Sequence, residues 1–400
     1  MNRRPSLILS FLLVVVAGLL FTGVAAAGDK DGISQFKRRA TIQIPGNKLE
    51  FFDISFVDAT AQRYVLADRS NASIDIIDTH TNEVLHQIGG FAGQKFNPDG
   101  TNDNAHSGPD GVLIVHTSKQ IWAGDGDSTV KVFDLDTHQH IATISTCIPG
   151  HTVLACARAD EMAYDPRDHL LIVANNAGDP DAFMTLISTT SLTVVDQIVF
   201  PAAKFSGGIE QPVWDPATRR FYVSIPELNG DANKGAVAVI NPRPIGHATI
   251  ETLFPVDDCN PAGLALGPHQ HLLLGCSLKN GQSVIMDARN GHIVKVVHGV
   301  GGSDEVWFNK GDDRYYLAAR NNLNELGKVV PALGIIDART NELLAAIPTG
   351  TPVKASTSAH SVAADRILNH VFVPLPPLVG DAHCANGCIG VYWSEDEDEE

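Results

Sequence analysis

From residue 121 to 144 the chain reads IWAGDGDSTVKVFDLDTHQHIATI: an apolar run, a Gly/Asp turn, an alternating run, a second polar turn and a further alternating run. That pattern predicts strand, hairpin, strand, turn and strand in antiparallel up-and-down order. It recurs from Tyr64 (YVLADRSNASIDIIDTHTNEVLHQI), from Leu171 (LIVANNAGDPDAFMTLISTTSLTVVDQI) and from Leu272 (LLLGCSLKNGQSVIMDARNGHIVKVV), with looser copies from Phe221 and Tyr315. A period of roughly 40–55 residues built of short strands alone predicts an all-β fold of four-stranded blades, a β-propeller.

Counting blades fixes their number and suggests how the ring closes. The innermost strands open at Asp53, Asp110, Asp160, Glu210, Pro261, Asp304 and His360, which predicts seven blades. Turn residues follow a few positions on, each at a fixed distance before the second strand: Asp58, Asp165, Asp215, Gly267, Asn309 and Asp365, three of them preceding proline, which presets the φ that a tight hairpin needs. A lone strand at 39–45 has no neighbour in sequence, while the C-terminal repeat, 360–374 with 387–393, is one strand short. Residues 41–44 are therefore expected to form the outer strand of the last blade, leaving no open edge.

The repeats resemble the YVTN family of seven-bladed propellers, through Tyr64-Val65-Leu66-Ala67, Leu171-Ile172-Val173-Ala174-Asn175 and Phe221-Tyr222-Val223-Ser224. The paired valine- and aspartate-rich strands are Ile74-Asp75-Ile76-Ile77-Asp78, Val130-Lys131-Val132-Phe133-Asp134 and Gly334-Ile335-Ile336-Asp337. The resemblance implies the fold over nearly all of the chain. It does not choose a chemistry, because that family holds binding and surface proteins as well as domains joined to enzymes. A shorter stretch, Asn260-Pro261-Ala262-Gly263-Leu264-Ala265, is similar to the strand opening of the senescence-marker/gluconolactonase propellers, in which an asparagine helps to hold a catalytic metal. Here Pro-Ala separates Asn260 from Gly263, and that family has six blades.

The ends of the chain change the picture of where it works. Arg3 and Arg4, an apolar run over 7–20 and Ala25-Ala26-Ala27 have the order of a secretory signal, so cleavage after Ala27 is expected. The division is then signal peptide 1–27, one propeller 28–393 and an acidic tail 394–400, with export to a bacterial periplasm or medium and no membrane span after cleavage. Six cysteines in three close pairs, Cys147/Cys156, Cys259/Cys276 and Cys384/Cys388, suit local disulfides in such a compartment.

The formal charge of -17, about -19 once Arg3 and Arg4 are removed, argues against nucleic acid as a partner and makes cations the natural company. A small molecule or a protein is the expected partner, and a monomer is favoured.

Candidate chemistry gathers where the innermost strands begin. Asp53, Asp110, Asp160, Glu210, Asp304 and His360 would converge on the central channel, with Glu161, Gln211 and Glu305 beside them, Asn260 in the fifth blade and His106 in the long loop before Asp110. Carboxylates crowded in one narrow space raise one another's pKa unless a cation neutralises them. Calcium or magnesium would suit the oxygen donors, and a transition metal such as zinc would suit the site if His106 and His360 turn inward. The other reading is that these groups are the polar openings of strands, facing channel water. His151, between two cysteines, is a further histidine of interest. His138, His140, His269, His271, His292 and His298 fall in turns or on outer strands by pattern, and His169 and His370 beside second strands.

No nucleophile-elbow serine, phosphate loop, dinucleotide fingerprint or haem-attachment pair is present. Two functions stay open: an exported propeller that binds a ligand or protein on its rim or in its channel, and a metal-dependent hydrolase or lyase, lactonase-like, that uses the acidic ring.

Overall fold

The computed structural model describes residues 33, 35–148, 156, 158–176, 181–354 and 357–394. The expected signal peptide, His151 and the acidic residues 395–400 lie outside the described residues. Seven four-stranded antiparallel sheets form the blades of a propeller. Six are continuous in sequence, over residues 55–89, 112–145, 162–200, 212–257, 261–298 and 306–348. The seventh joins Ala363–Ala364, Val371–Leu375 and Cys388–Trp393 to the N-terminal strand Lys37–Ile42, which forms its outer edge.

That closure was expected, although the closing strand lies earlier than 41–44. Lys37 pairs with Trp393 and Ile42 with Ile389. The ladder ends at that last pair, so residues 43 and 44 lie outside the strand.

Burial explains why each strand carries the residues it does. The second and third strands of a blade lie between two neighbouring blades and are covered on both faces, so they read as unbroken apolar runs. Tyr64, Val65, Leu66 and Ala67 are all fully buried. Outer strands such as Ile293–His298 face solvent and alternate. In six blades the pairing of third and fourth strands carries a bulge at one equivalent place, for example between Ile76 and Ile77 and between Ile335 and Ile336. Such bulges increase local twist, which each blade needs to fan away from the axis.

The first turns are built on the expected polar residues. Asp58 Oδ1 accepts from the N–H groups of Thr60 and Ala61, and Asp165, Asp215 and Asp365 repeat the contact with Arg167, Ala217 and Ile367. Each accepts two or three residues on, as an Asx turn requires.

All six cysteines are paired as the spacing suggested, Cys147–Cys156, Cys259–Cys276 and Cys384–Cys388, with Cα–Cα separations of 5.1, 4.5 and 5.2 Å. Three disulfides fit an oxidising, exported environment. No helix among the described residues is long and apolar enough to cross a membrane.

Candidate functional site in the central channel

Backbone register shows that the five acids share one structural position. The N–H groups of Asp53, Asp110, Asp160, Glu210 and Asp304 donate to the carbonyls of Ala67, Gly124, Ala174, Ser224 and Ala318, each fourteen residues downstream. The next residue in each blade closes the pair, because its carbonyl accepts from that same downstream N–H: Ile54, Gly111, Glu161, Gln211 and Glu305. The blades therefore present two tiers to the channel, an acid tier at the mouth and a second tier just below it. The fifth blade has Pro261, which has no N–H to offer, in place of an acid.

The mouth is a polar cavity of about 190 Å³. Asp53, Asp160, Glu210, Asp304 and His360 line it, together with Arg69, Arg158 and Arg320. The arginines are the part that reading the innermost strands alone does not find. Arg69 and Arg320 are the first residues after the second strands of their blades, sixteen positions beyond Asp53 and Asp304, and each turns back to pair with that acid. In the third blade the same slot holds Asn176, whose Nδ2 donates to Asp160 Oδ2 at 2.7 Å.

The remaining two acids lack this partner and differ in what replaces it. In the second blade the slot is Gly126, where a Cβ would lie 2.2 Å from the Ser107 carbonyl oxygen, so the long loop before Asp110 leaves no room for a side chain. Asp110 is met from both sides instead. Arg69 donates from Nε at 2.8 Å, and Arg158 stands at 3.9 Å while its Nη2 pairs with Asp160 at 2.7 Å. In the fourth blade the slot is Pro226, and Glu210 makes no ion pair or side-chain hydrogen bond among the described residues.

These surroundings set the protonation of the mouth. Burial pushes Asp53 up, but Arg69, the hydrogen bond with His360 and the charge of Arg158 together outweigh it and hold the carboxyl well below the usual range. Asp160 is pushed up to about 6 by burial against the opposing pull of Arg158. Glu210 is pushed up to about 8, by burial first and then by the neighbouring charges of Asp304 and Asp160. His360 stacks on Phe52 with ring centroids 5.0 Å apart. Its Nε2 stands 3.3 Å from Asp53, and its Nδ1 donates to the Ser358 carbonyl at 2.9 Å.

The other residues singled out from sequence lie elsewhere. Asp110 is fully buried behind Arg69 and does not line the cavity. Glu305 belongs to the second tier, where its carboxylate accepts from Ser361 Oγ and the Val362 N–H. His106 is exposed and pairs with Asp103, three residues away in the same loop, at 2.9 Å. Asn260 sits at φ 52° and donates to the Ala232 carbonyl, away from the channel. Among the described residues, no three His, Cys, Asp or Glu side chains are grouped so that they could hold a metal ion. The acids are instead interleaved with guanidinium groups, which pair with Asp53, Asp160 and Asp304.

No family model matches the chain, and no curated protein does. Among solved structures it is similar to a chain in a crystal structure of the mitotic checkpoint complex, with a TM-score of 0.61 at 12% identity over 97% of this chain and 98% of that one. Likeness at that identity shows the propeller architecture and nothing about ligand or chemistry. The YVTN resemblance therefore stands on the repeat residues themselves.

Proposed function

We propose that the chain is an exported binding propeller whose channel mouth takes a small organic cation, an amine or a guanidine. The observation that carries this reading is Glu210, a half-buried carboxyl on the cavity wall whose partner slot is filled by Pro226. Three arginines serve the acids around it, and Glu210 is left over. A cation seated there would be drawn by Glu210, Asp304 and Asp160 together and would complete the alternation of charge around the ring. The propeller fold supports a binding role, since rims and channels of such rings commonly serve recognition.

The metal-dependent hydrolase reading draws less support, because Asp53, Asp110, Asp160 and Asp304 are already paired with guanidinium groups. Calorimetry of the purified chain with methylammonium and guanidinium, set against calcium, magnesium and zinc, tests the proposal. Saturable binding of the organic ions that is lost in Glu210→Gln is the expected result. Stoichiometric binding of a divalent metal with no response to the organic ions would reverse the two readings.

A further inference from the structure

Below the mouth the channel changes character. Its lower half is a chamber of about 470 Å³ walled by the innermost strands and lined by half-buried aromatic side chains, among them Phe56, Trp214, Trp307 and Phe308. Phe56 and Trp307 meet edge to face with centroids 5.3 Å apart. Large aromatic groups that face a cavity of this size, with few polar neighbours, are the ordinary lining of a small-molecule site.

Three long polar side chains of the second tier stand where the two halves meet, and two of them are occupied. Gln211 reaches across the fifth blade, where its Oε1 accepts from the Leu264 N–H at 2.8 Å and the Val306 N–H at 3.3 Å. Glu305 similarly serves Ser361 and Val362 of the seventh blade. Both stitch neighbouring inner strands together. Glu161 does not: it is 8% exposed, its Oε2 is buried without a hydrogen-bond partner, and it lines both the polar mouth and the apolar chamber. A buried polar atom left unsatisfied costs free energy that a bound donor would recover.

We infer that the lower chamber seats the apolar body of an amphipathic primary amine whose ammonium group docks on Glu161, a reading that rests on the cation-binding mouth proposed above. Charge selects the head group. Asp160, Glu210, Asp53 and Asp304 lie above Glu161, and after burial itself it is Asp160 and Glu210 that raise its carboxyl well above the ordinary range. Burial and these neighbouring acids therefore favour the protonated carboxyl before a ligand arrives. An arriving ammonium supplies the missing counter-charge, and the carboxyl proton passes to water as the ion pair forms. A neutral alcohol of equal length would meet the same apolar wall without that gain.

The experiment is calorimetry and tryptophan fluorescence on the mature chain with n-alkylammonium ions from methyl to octyl and the matching alcohols. Affinity should tighten by up to about fourfold for each added methylene until the chamber is full, in line with the transfer of a buried CH₂. Quenching or shift of the fluorescence from Trp214 and Trp307 should accompany it, and Glu161→Gln should weaken octylammonium at least tenfold. Methylammonium and guanidinium report on the mouth alone, so binding of these ions with no dependence on chain length would overturn the chamber and leave the mouth standing. Failure of every cation would overturn both. Alcohols binding as tightly as amines would overturn Glu161 as the anchor.

Discussion

Arg69 of the first blade donates from Nε to Asp110 of the second at 2.8 Å while its Nη2 pairs with Asp53 of its own blade. One guanidinium therefore ties two adjacent inner strands at the channel mouth, and all three groups are buried. Removing it leaves two carboxylates with little solvent and one fewer counter-charge. Arg69→Leu should destabilise the fold by about 3–5 kcal/mol, the range for breaking a buried pair from one side. Urea denaturation that returned a loss below about 1 kcal/mol would show that Arg158 and His360 suffice.

The protonation of Glu210 gives the stability a definite pH dependence. Its folded-state pKa, about 8, lies above the ordinary 4.5, so the folded chain holds a proton that the unfolded chain has released between those values. This contribution is fully present below the ordinary value and is lost as pH rises through about 8. Melting temperature should fall between pH 6 and 9, and Glu210→Gln, which mimics the protonated carboxyl, should flatten that fall. A variant with the parent's slope over the same interval would remove Glu210 from the account.

Ring closure rests on Lys37–Ile42 against Cys388–Trp393. Deleting the N-terminal strand should bare the backbone of the C-terminal one as an open edge, lower the melting temperature of the whole ring in one transition and promote association. An unchanged melting temperature would count against closure of this kind.

The ring was legible in sequence because its cause is local. Strand alternation and Asp turns are read within a dozen positions, as Asp58, Asp165 and Asp215 show, and their recurrence gives the repeat. The shared strand-opening position of the five acids was legible for the same reason, although only Asp53, Asp160, Glu210 and Asp304 line the cavity. Their partners were not, because Arg69, Asn176 and Arg320 return to the mouth only after a complete hairpin. The constant offset of sixteen residues is the signal that would have found them. His106 and Asn260 misled in the opposite sense: closeness to Asp110 or to a blade opening in sequence says nothing about which way a loop residue turns, and each finds its partner in nearby loop backbone or side chains.

The same offset yields a test by construction. Pro226 occupies the slot from which Arg69 and Arg320 serve their acids, and it follows directly on the strand Arg220–Ile225 as they follow on theirs. Pro226→Arg should therefore place a guanidinium beside Glu210, as the repeat does in two other blades, and draw its pKa down toward the ordinary carboxylate range. Three consequences should appear together: a melting temperature less sensitive to alkaline pH, loss of methylammonium and guanidinium binding because the mouth now carries its own cation, and retention of the fold. The matched control Pro226→Gln restores the backbone N–H without the charge and should leave cation binding in place. If Pro226→Arg folds and still binds small cations as the parent does, Glu210 is not the group that receives them.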